Sequence, residues 1–509
     1  MTTTGTGGTY KTTKQQPWTA LRAALIAGAV LLAIVIILVS SRWGAALGDD
    51  SYAYIKPARD VLAGNAMQLN PSFPPLLPYL LTGLGFLGLE PLIAIRLLNA
   101  LLFGICVFLA FLIVYRLSSS FTFAFLGSVS IMISAGLIEL FASAMSEPLY
   151  LVLVLTALAC VLRYHESKSM IWLAASGIAT GLALFTRYAG LSLLGTIGLF
   201  LLAASASSFK EKVRSILVFG VLSALPIAGY SIHNIFTIGR PVGHSGFSWA
   251  LVKEFPLNLL LQNLWDWFIP ARLVSGHEMQ LSALLLGIII ALVLGYSIAH
   301  RRHLRSLWRL LFQSPALHLL GLFLLVNLLM LTLARGYFRG GDSFNPRYIS
   351  PLQLVFLMML FGFLGRLYHA TGRGSSIVIS TICLGLFAIL AVRAMYTMQF
   401  LYRVGGGYAS QRWHISETIA YLNHRPDTPV MSTGATGVYF WTDRMPVNIS
   451  RSRDAAREFL CETGGFLVVI DSMPLEFYGI DPSSYLEGMV VEQDFSEGTI
   501  YTIDPLLCE

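Results

Sequence analysis

The sequence predicts a polytopic α-helical membrane protein with a small α/β domain at its C-terminus, and three observations carry that reading. The chain of 509 residues is 55% hydrophobic and only 12% charged, against roughly 25% charged in an ordinary soluble domain. Apolar runs of bilayer length recur along the first 397 residues. Charge is also divided. Residues 401–509 hold seven arginines, no lysine and fifteen acidic residues, a balance of −8 within a chain of net +7, so the rest carries +15. A basic, apolar body with an acidic tail excludes disorder, a fibrous repeat and a conventional cytosolic enzyme.

A hydrocarbon core about 30 Å thick needs roughly 20 apolar residues per helix, because lipid offers no partner to an unpaired backbone group. Residues 19–40 meet this requirement and are too long for a cleaved leader. Further spans are expected at 91–115, 121–138, 144–162, 170–186, 189–206, 214–233, 280–299, 315–334, 348–366 and 376–397. These make about eleven transmembrane helices. A polar, Thr/Gly-rich segment, 1–16, precedes the membrane domain of 17–397 and is expected to be disordered and cytoplasmic.

Loop charge sets the threading. With the N-terminus (Lys11, Lys14) inside, the cytoplasmic loops hold Arg116; Arg163 and Lys168; Lys210, Lys212 and Arg214; Arg301, Arg302, Arg305 and Arg309; Arg366 and Arg373. All are basic. An odd number of spans then leaves the acidic tail, 398–509, outside.

The chemically notable residues fall on that outer side. The long first outer loop, 41–90, opens with Asp49-Asp50 and continues through Tyr52, Tyr54 and Lys56 to a rigid Pro74-Pro75 step. Glu147 stands at a helix start in the next outer loop, and Arg187-Tyr188 in the third. Asn234 begins the long loop 234–279, and Arg335, Arg339 and Arg347-Tyr348 lie in the last. Charges so near span ends are costly unless hydrated or paired, so such positions are functional candidates. Carboxylates from two loops facing arginines from two others make a site for an anionic substrate at the membrane surface. A carboxylate serves acid or base work, and the planar guanidinium fork matches phosphate oxygens.

In that order, GDDSYAYIKPARDVLAG with FPPLLPYLL, MSEPLYLVLVLTALA, FTRYAGLSLLG, SIHNIFTIGRPVG and NPRYISPLQLVF resemble the motifs of the GT-C membrane glycosyltransferases. The similarity is greatest to the bacterial protein O-mannosyltransferase and aminoarabinose transferase group. It covers most of the chain, but Asp49-Asp50 stands where many relatives have Asp-Glu, and Lys56 is only a stand-in for a lysine often found after the first-loop acids. The resemblance implies a GT-C fold and transfer of a sugar from a polyprenyl-phosphate donor to an acceptor lipid, glycan or protein. It places the reaction on the outer side of a prokaryotic plasma membrane, by a single inverting displacement. In that scheme Asp49 acts as general base, and Asp50 and Glu147 position the acceptor or hold a divalent cation (Mg, Mn or Ca). Arg187 and Arg347, with Arg339 in reserve and Lys56 nearby, neutralise the leaving phosphate. Tyr52, Tyr54, Tyr188, Tyr348, Pro74, Pro75 and Asn234 line the substrate pocket.

Other readings compete with each assignment. Asp49-Asp50 and Glu147 suit helix starts, the arginines suit interfacial anchors, and the tyrosines suit an aromatic belt in contact with membrane lipids. At the level of the whole chain, the rivals are a transporter or flippase of lipid-linked sugar and a non-catalytic membrane scaffold. Transporters commonly show two related halves and mid-membrane charges, whereas here no repeat is evident and the charges gather at one edge. No feature points to nucleic acid. The glycine run Gly405-Gly406-Gly407 reads as a linker. Beyond it, Trp413–Asn423 and Ala455–Cys461 read as helices, PVMSTG and GFLVVID as strands, and MVVEQDF-SEG-TIYTID as a closing hairpin. This tail is expected to cover the outer cavity or help select the acceptor. The five cysteines, Cys106, Cys160, Cys383, Cys461 and Cys508, have no metal-ligand spacing, and Cys461 and Cys508 can pair if they lie outside the cell.

Overall fold

A computed structural model describes residues 19–203, 208–243, 247–253, 256–269, 276–277, 279–282, 284, 314–336, 344–370, 373–504 and 508. Arg339, the 1–16 segment, the Arg301–Arg309 cluster and most of the 280–299 span lie outside these residues.

The apolar runs fold as helices: α1 (Ala20–Ser40), α4 (Pro91–Ser118), α5 (Phe121–Met132), α6 (Ala135–Phe141), α7 (Glu147–Ser167), α8 (Met170–Thr186), α9 (Leu191–Ala203) and α10 (Phe209–Ile238). Between the first two, α2 (Asp49–Leu62) and α3 (Leu76–Phe86) form the first loop, and after α10 come α11 (Trp249–Lys253) and α12 (Leu257–Asp266). The membrane domain closes with α13 (Pro315–Ala334), α14 (Pro346–Ala370) and α15 (Arg373–Val404). Among the described residues, seven helices are long and apolar enough to cross a membrane, and an eighth span results if α5 and α6 count as one. The helices α8 and α9 are apolar but shorter, so the described residues hold seven or eight of the about eleven expected spans, with most of 280–299 outside them.

Two of these elements depart from a plain 20-residue span. The expected 121–138 helix breaks at Ile133-Ser134, where α5 and α6 meet at 60°. Gln353 of α14 donates to the Ser134 hydroxyl at 3.0 Å, giving the interrupted turn a polar partner that lipid cannot supply. Similarly, α10 runs five residues beyond the apolar window at each end, starting at a Ser208–Glu211 capping box. Polar contacts also join helices inside the bundle, from Ser176 to Ala157 O at 3.0 Å and from Asn327 to Ser192 at 3.0 Å.

The helix ends sort onto two faces. One face gathers Arg116 with Glu166 (3.5 Å), Tyr164 with Ser215 (2.7 Å), and Arg366 with Ser314 (2.9 Å). The other face receives the end of α1, the starts of α2, α7 and α14, and the ends of α8 and α15.

On that second face the chain after α15 returns to the first loop. Residues Ala46 and Leu47 form parallel bridges to Ser143 on one side and Gly407 on the other, with Ala46 N to Ala142 O and Tyr408 N to Leu47 O at 2.8 and 2.9 Å. Gly407 has φ +54, and a Cβ there would collide with the Leu47 carbonyl. The glycine run is therefore a packed junction rather than a linker, since only a residue without a side chain lets the two backbones meet. Gly407→Ala is expected to unseat this junction, lowering both the melting temperature and any activity that depends on the adjacent Asp49. Thermal unfolding of the purified variant beside wild type checks it.

The tail folds as α16 (Gln411–His414), α17 (Glu417–Asn423), β1 (Val430–Ser432), α18 (Ala435–Thr442), β2 (Val447–Asn448), α19 (Arg453–Thr463), β3 (Phe466–Ile470), α20 (Pro482–Tyr485), β4 (Met489–Phe495) and β5 (Gly498–Ile503). The sheet order is β2-β1-β3-β5-β4, with β1 parallel to β2 and β3, and β5 antiparallel to β3 and β4. The expected 413–423 helix divides at Ser416, whose hydroxyl caps Ile419 N. Cys461 and Cys508 are disulfide-bonded, with Cα atoms 5.4 Å apart. The tail shares one apolar core with the first loop: Tyr54, Ile55, Leu77 and Leu81 pack with Trp413, Val438, Tyr439 and Phe440.

Candidate active site

The mini-sheet of 45–48, 142–144 and 407–408 fixes where two helices begin. Asp49 and Asp50 occupy the first turn of α2, after Gly48, whose N–H donates to Ser51 Oγ at 2.9 Å. Glu147 opens α7 with Pro148 behind it. The positive end of each helix dipole favours these carboxylates. Arg347 enters from the first turn of α14, its N–H held by Asn345 Oδ1 at 3.2 Å. Arg187 follows α8 in an extended conformation.

These five residues, from four separate stretches of chain, converge. Arg347 Nη1 lies 2.6 Å from Asp50 Oδ2, and its Nε 3.9 Å from Glu147 Oε1. Arg187 Nη1 lies 2.9 Å from the same Glu147 oxygen and donates to Ser146 Oγ at 2.9 Å. Glu147 is 2% exposed, and neither of its carboxylate oxygens accepts a well-aligned hydrogen bond among the described residues. Among the described residues its charge is balanced by the two guanidiniums. The Tyr348 ring packs against both guanidiniums, with its centroid 4.8 Å from Arg347 and 5.4 Å from Arg187, and its hydroxyl accepts from Arg347 at 2.9 Å. Tyr54, 1% exposed, shares a hydrogen bond with Ser146 at 3.0 Å. Burial holds its hydroxyl far above the usual tyrosine range.

Asp49 differs from its neighbours. It is exposed, and its recorded partner is the Tyr408 hydroxyl, which donates to Oδ1 at 2.7 Å. Burial first, and the hydrogen bond to the Asp49 carboxylate second, push the Tyr408 hydroxyl far up, so it remains a donor. Asp50 and Glu147 thus face cations, while Asp49 faces a neutral hydroxyl and solvent.

The remaining expected residues lie around this centre rather than in it. Lys56 pairs with Asp60 one turn along α2 at 2.5 Å, and no recorded contact joins it to the arginines. Tyr52 turns toward the tail, with its ring edge-on to Tyr439 at 4.9 Å. Tyr188 donates to Pro71 O at 3.0 Å, and buried Pro74 and Pro75 lead from that turn into α3. Asn234, 3% exposed, donates to Pro241 O at 3.3 Å. These residues shape the loops beside the site. Asp50 and Glu147 each face a guanidinium, and among the described residues no group of three His, Cys, Asp or Glu side chains gathers here. Sequence reading missed Ser146 as the hub between Arg187 and Tyr54, and Tyr408 as the partner of Asp49. Tyr408 follows the glycine run, and no local pattern marks it.

Residues 68–238 match the family described as dolichyl-phosphate-mannose-protein mannosyltransferase. No curated protein sequence matches the chain at a significant level. Among solved structures, the chain resembles ArnT from Cupriavidus metallidurans bound to undecaprenyl phosphate, with a TM-score of 0.60 at 13% identity over 94% of this chain and 98% of that one. It also resembles the Archaeoglobus fulgidus oligosaccharyltransferase AglB in complex with an inhibitory peptide and a dolichol-phosphate, with a TM-score of 0.55 at 12% identity over 96% of this chain and 75% of that one. The fold is that of the GT-C membrane glycosyltransferases, as the motif resemblance implies. The protein is an integral membrane protein of that fold class.

Proposed function

We propose that the protein is a glycosyltransferase that moves a sugar from a polyprenyl-phosphate donor to an acceptor hydroxyl. The reading rests on Arg187 and Arg347 meeting at Tyr348 and Glu147, beside an exposed Asp49 whose Oδ1 accepts from the Tyr408 hydroxyl. The family matched by 68–238 is named for a dolichyl-phosphate sugar, and the similar ArnT and AglB structures hold undecaprenyl phosphate and a dolichol-phosphate.

In this mechanism the acceptor oxygen attacks the anomeric carbon as the carbon–oxygen bond to phosphate breaks, with inversion. The acceptor proton passes to Asp49, in the manner of a general base. The bonding pair leaves with the phosphate, whose growing negative charge Arg347 and Arg187 stabilise. Asp50 and Glu147 hold the two guanidiniums in place before the donor arrives, so little reorganisation accompanies the reaction.

The site face is the outer face of a prokaryotic plasma membrane, and the N-terminus is cytoplasmic. Basic Arg116, Arg163, Lys168, Lys210, Lys212, Arg214 and Arg366 on the opposite face fit the cytoplasmic side. The Cys461–Cys508 disulfide in the tail fits an oxidising compartment. The tail covers the site from outside, delivering Tyr408 to Asp49.

The test is incubation of the purified protein with a panel of polyprenyl-phosphate sugars and membrane-derived acceptors. Release of free polyprenyl phosphate from one donor, dependent on acceptor, is expected. Release from none of them, with the protein folded, overturns the proposal.

A further inference from the structure

A groove of about 660 Å³ lies where the end of α2 and the loop after α3 meet the tail. Arg59, Leu62 and Glu90 line it from the first loop, and Phe440, Trp441 and Asp443 from the tail. Arg59 Nη2 lies 2.8 Å from Glu90 Oε1, and its Nη1 3.6 Å from Asp443 Oδ1. Glu90 is engaged on both oxygens, Oε1 by Arg59 and Oε2 by the Leu92 and Ile93 N–H groups, whereas the Asp443 side chain is 83% exposed and keeps its carboxylate open to a ligand. The row of carboxylate, guanidinium and carboxylate carries net −1, which repels a phosphorylated or carboxylated molecule. Its fixed donors and acceptors suit hydroxyl groups instead, and the indole of Trp441 beside Leu62 suits the apolar face of a sugar ring. Trp441 is oriented without any ligand: its Nε1 donates to Tyr408 O at 2.7 Å, and its ring meets His414 at 4.3 Å.

We propose that this groove is a distal subsite for the acceptor and that it takes an extended, uncharged oligosaccharide. The inference rests on the function proposed above and names its acceptor class. Asp49 begins α2 and the groove lies at its other end, ten to thirteen residues on; at 1.5 Å per residue they are separated by about 15–20 Å. A ligand that fills the groove and also presents a hydroxyl to Asp49 is therefore several sugar units long. The two ends are physically joined, since the residue that receives the Trp441 N–H is the same Tyr408 that donates to Asp49.

Saturation-transfer NMR on the full-length protein tests this, using linear neutral oligosaccharides of one to six units in the glucose, mannose, galactose and arabinose series, with sialyllactose as the anionic probe. In one neutral series, affinity is expected to rise with length by at least about tenfold, or 1.4 kcal/mol, with sialyllactose weak. Leu62→Trp, which fills the groove, should remove that gain. Asp443→Asn should reduce it while keeping the left-handed backbone of residue 443, at φ 55, which asparagine tolerates; it decides the matter if Leu62→Trp does not fold. Asp49→Asn should bind the same oligosaccharides with transfer gone, which separates failure of the groove from failure of the catalytic reading. Affinity flat with length in every series, sialyllactose binding as well as the neutral sugars, or wild-type binding by the folded groove variants overturns the proposal.

Discussion

Asp49→Asn is expected to lower sugar transfer by about 10²–10⁴-fold, the usual worth of a positioned general base, while the protein folds and melts as wild type does. Its recorded partner donates to it, and an asparagine oxygen accepts from the Tyr408 hydroxyl equally well. The amide takes up no proton, so the loss falls on turnover rather than on donor binding, which belongs to the arginines. Asp50→Asn makes a contrasting control. It removes a 2.6 Å ion pair from Arg347 and should weaken donor binding along with turnover. Initial rates across a donor titration separate the two variants. Full activity of the Asp49→Asn variant would remove Asp49 from the base role.

Arg187→Met is expected to be the most destabilising single change at the site. The Arg187 side chain is 16% exposed and that of Glu147 3%, so deleting the cation leaves, among the described residues, a buried carboxylate with Arg347 at 3.9 Å. Breaking a buried pair from one side costs roughly 3–5 kcal/mol, whereas removing both charges is often nearly neutral. Adding Glu147→Gln to Arg187→Met should therefore recover much of the lost melting temperature without recovering activity. Equal melting temperatures for the single and double variants would mean that the pair is not the buried charge balance argued here. Because unfolding of a protein this size is commonly irreversible, the comparison requires matched scan rates.

Much of the helical framework was legible because hydropathy is local: a run of apolar residues long enough to cross lipid leaves few alternatives to a helix. The observed α1, α8, α13 and the β4–β5 hairpin begin and end within a few residues of the sequence expectation. The convergence of Asp50, Glu147, Arg187 and Arg347 was also anticipated, because threading alone puts the ends of their helices on one face. What stayed hidden depends on distant partners. The break at Ser134 answers to Gln353, more than two hundred residues away. The glycine run reads as a linker until Leu47 is seen against Gly407. Lys56 looked like a phosphate ligand by its closeness in sequence to the acidic pair, yet helical geometry gives it to Asp60 one turn on. Tyr408 is fixed by the junction of tail and first loop, which neither segment encodes by itself.

The central claim is that the Arg187–Arg347 pair receives the phosphate of a lipid carrier beside Asp49. An experimentally determined structure of the protein with a bound polyprenyl phosphate tests it most directly. The phosphate is expected against the guanidiniums of Arg347 and Arg187, with the lipid chain leaving between helices and the Asp49 carboxylate open to the side opposite the leaving oxygen. A phosphate held on the face that carries Arg116 and Arg366, or held away from both site arginines, would contradict it.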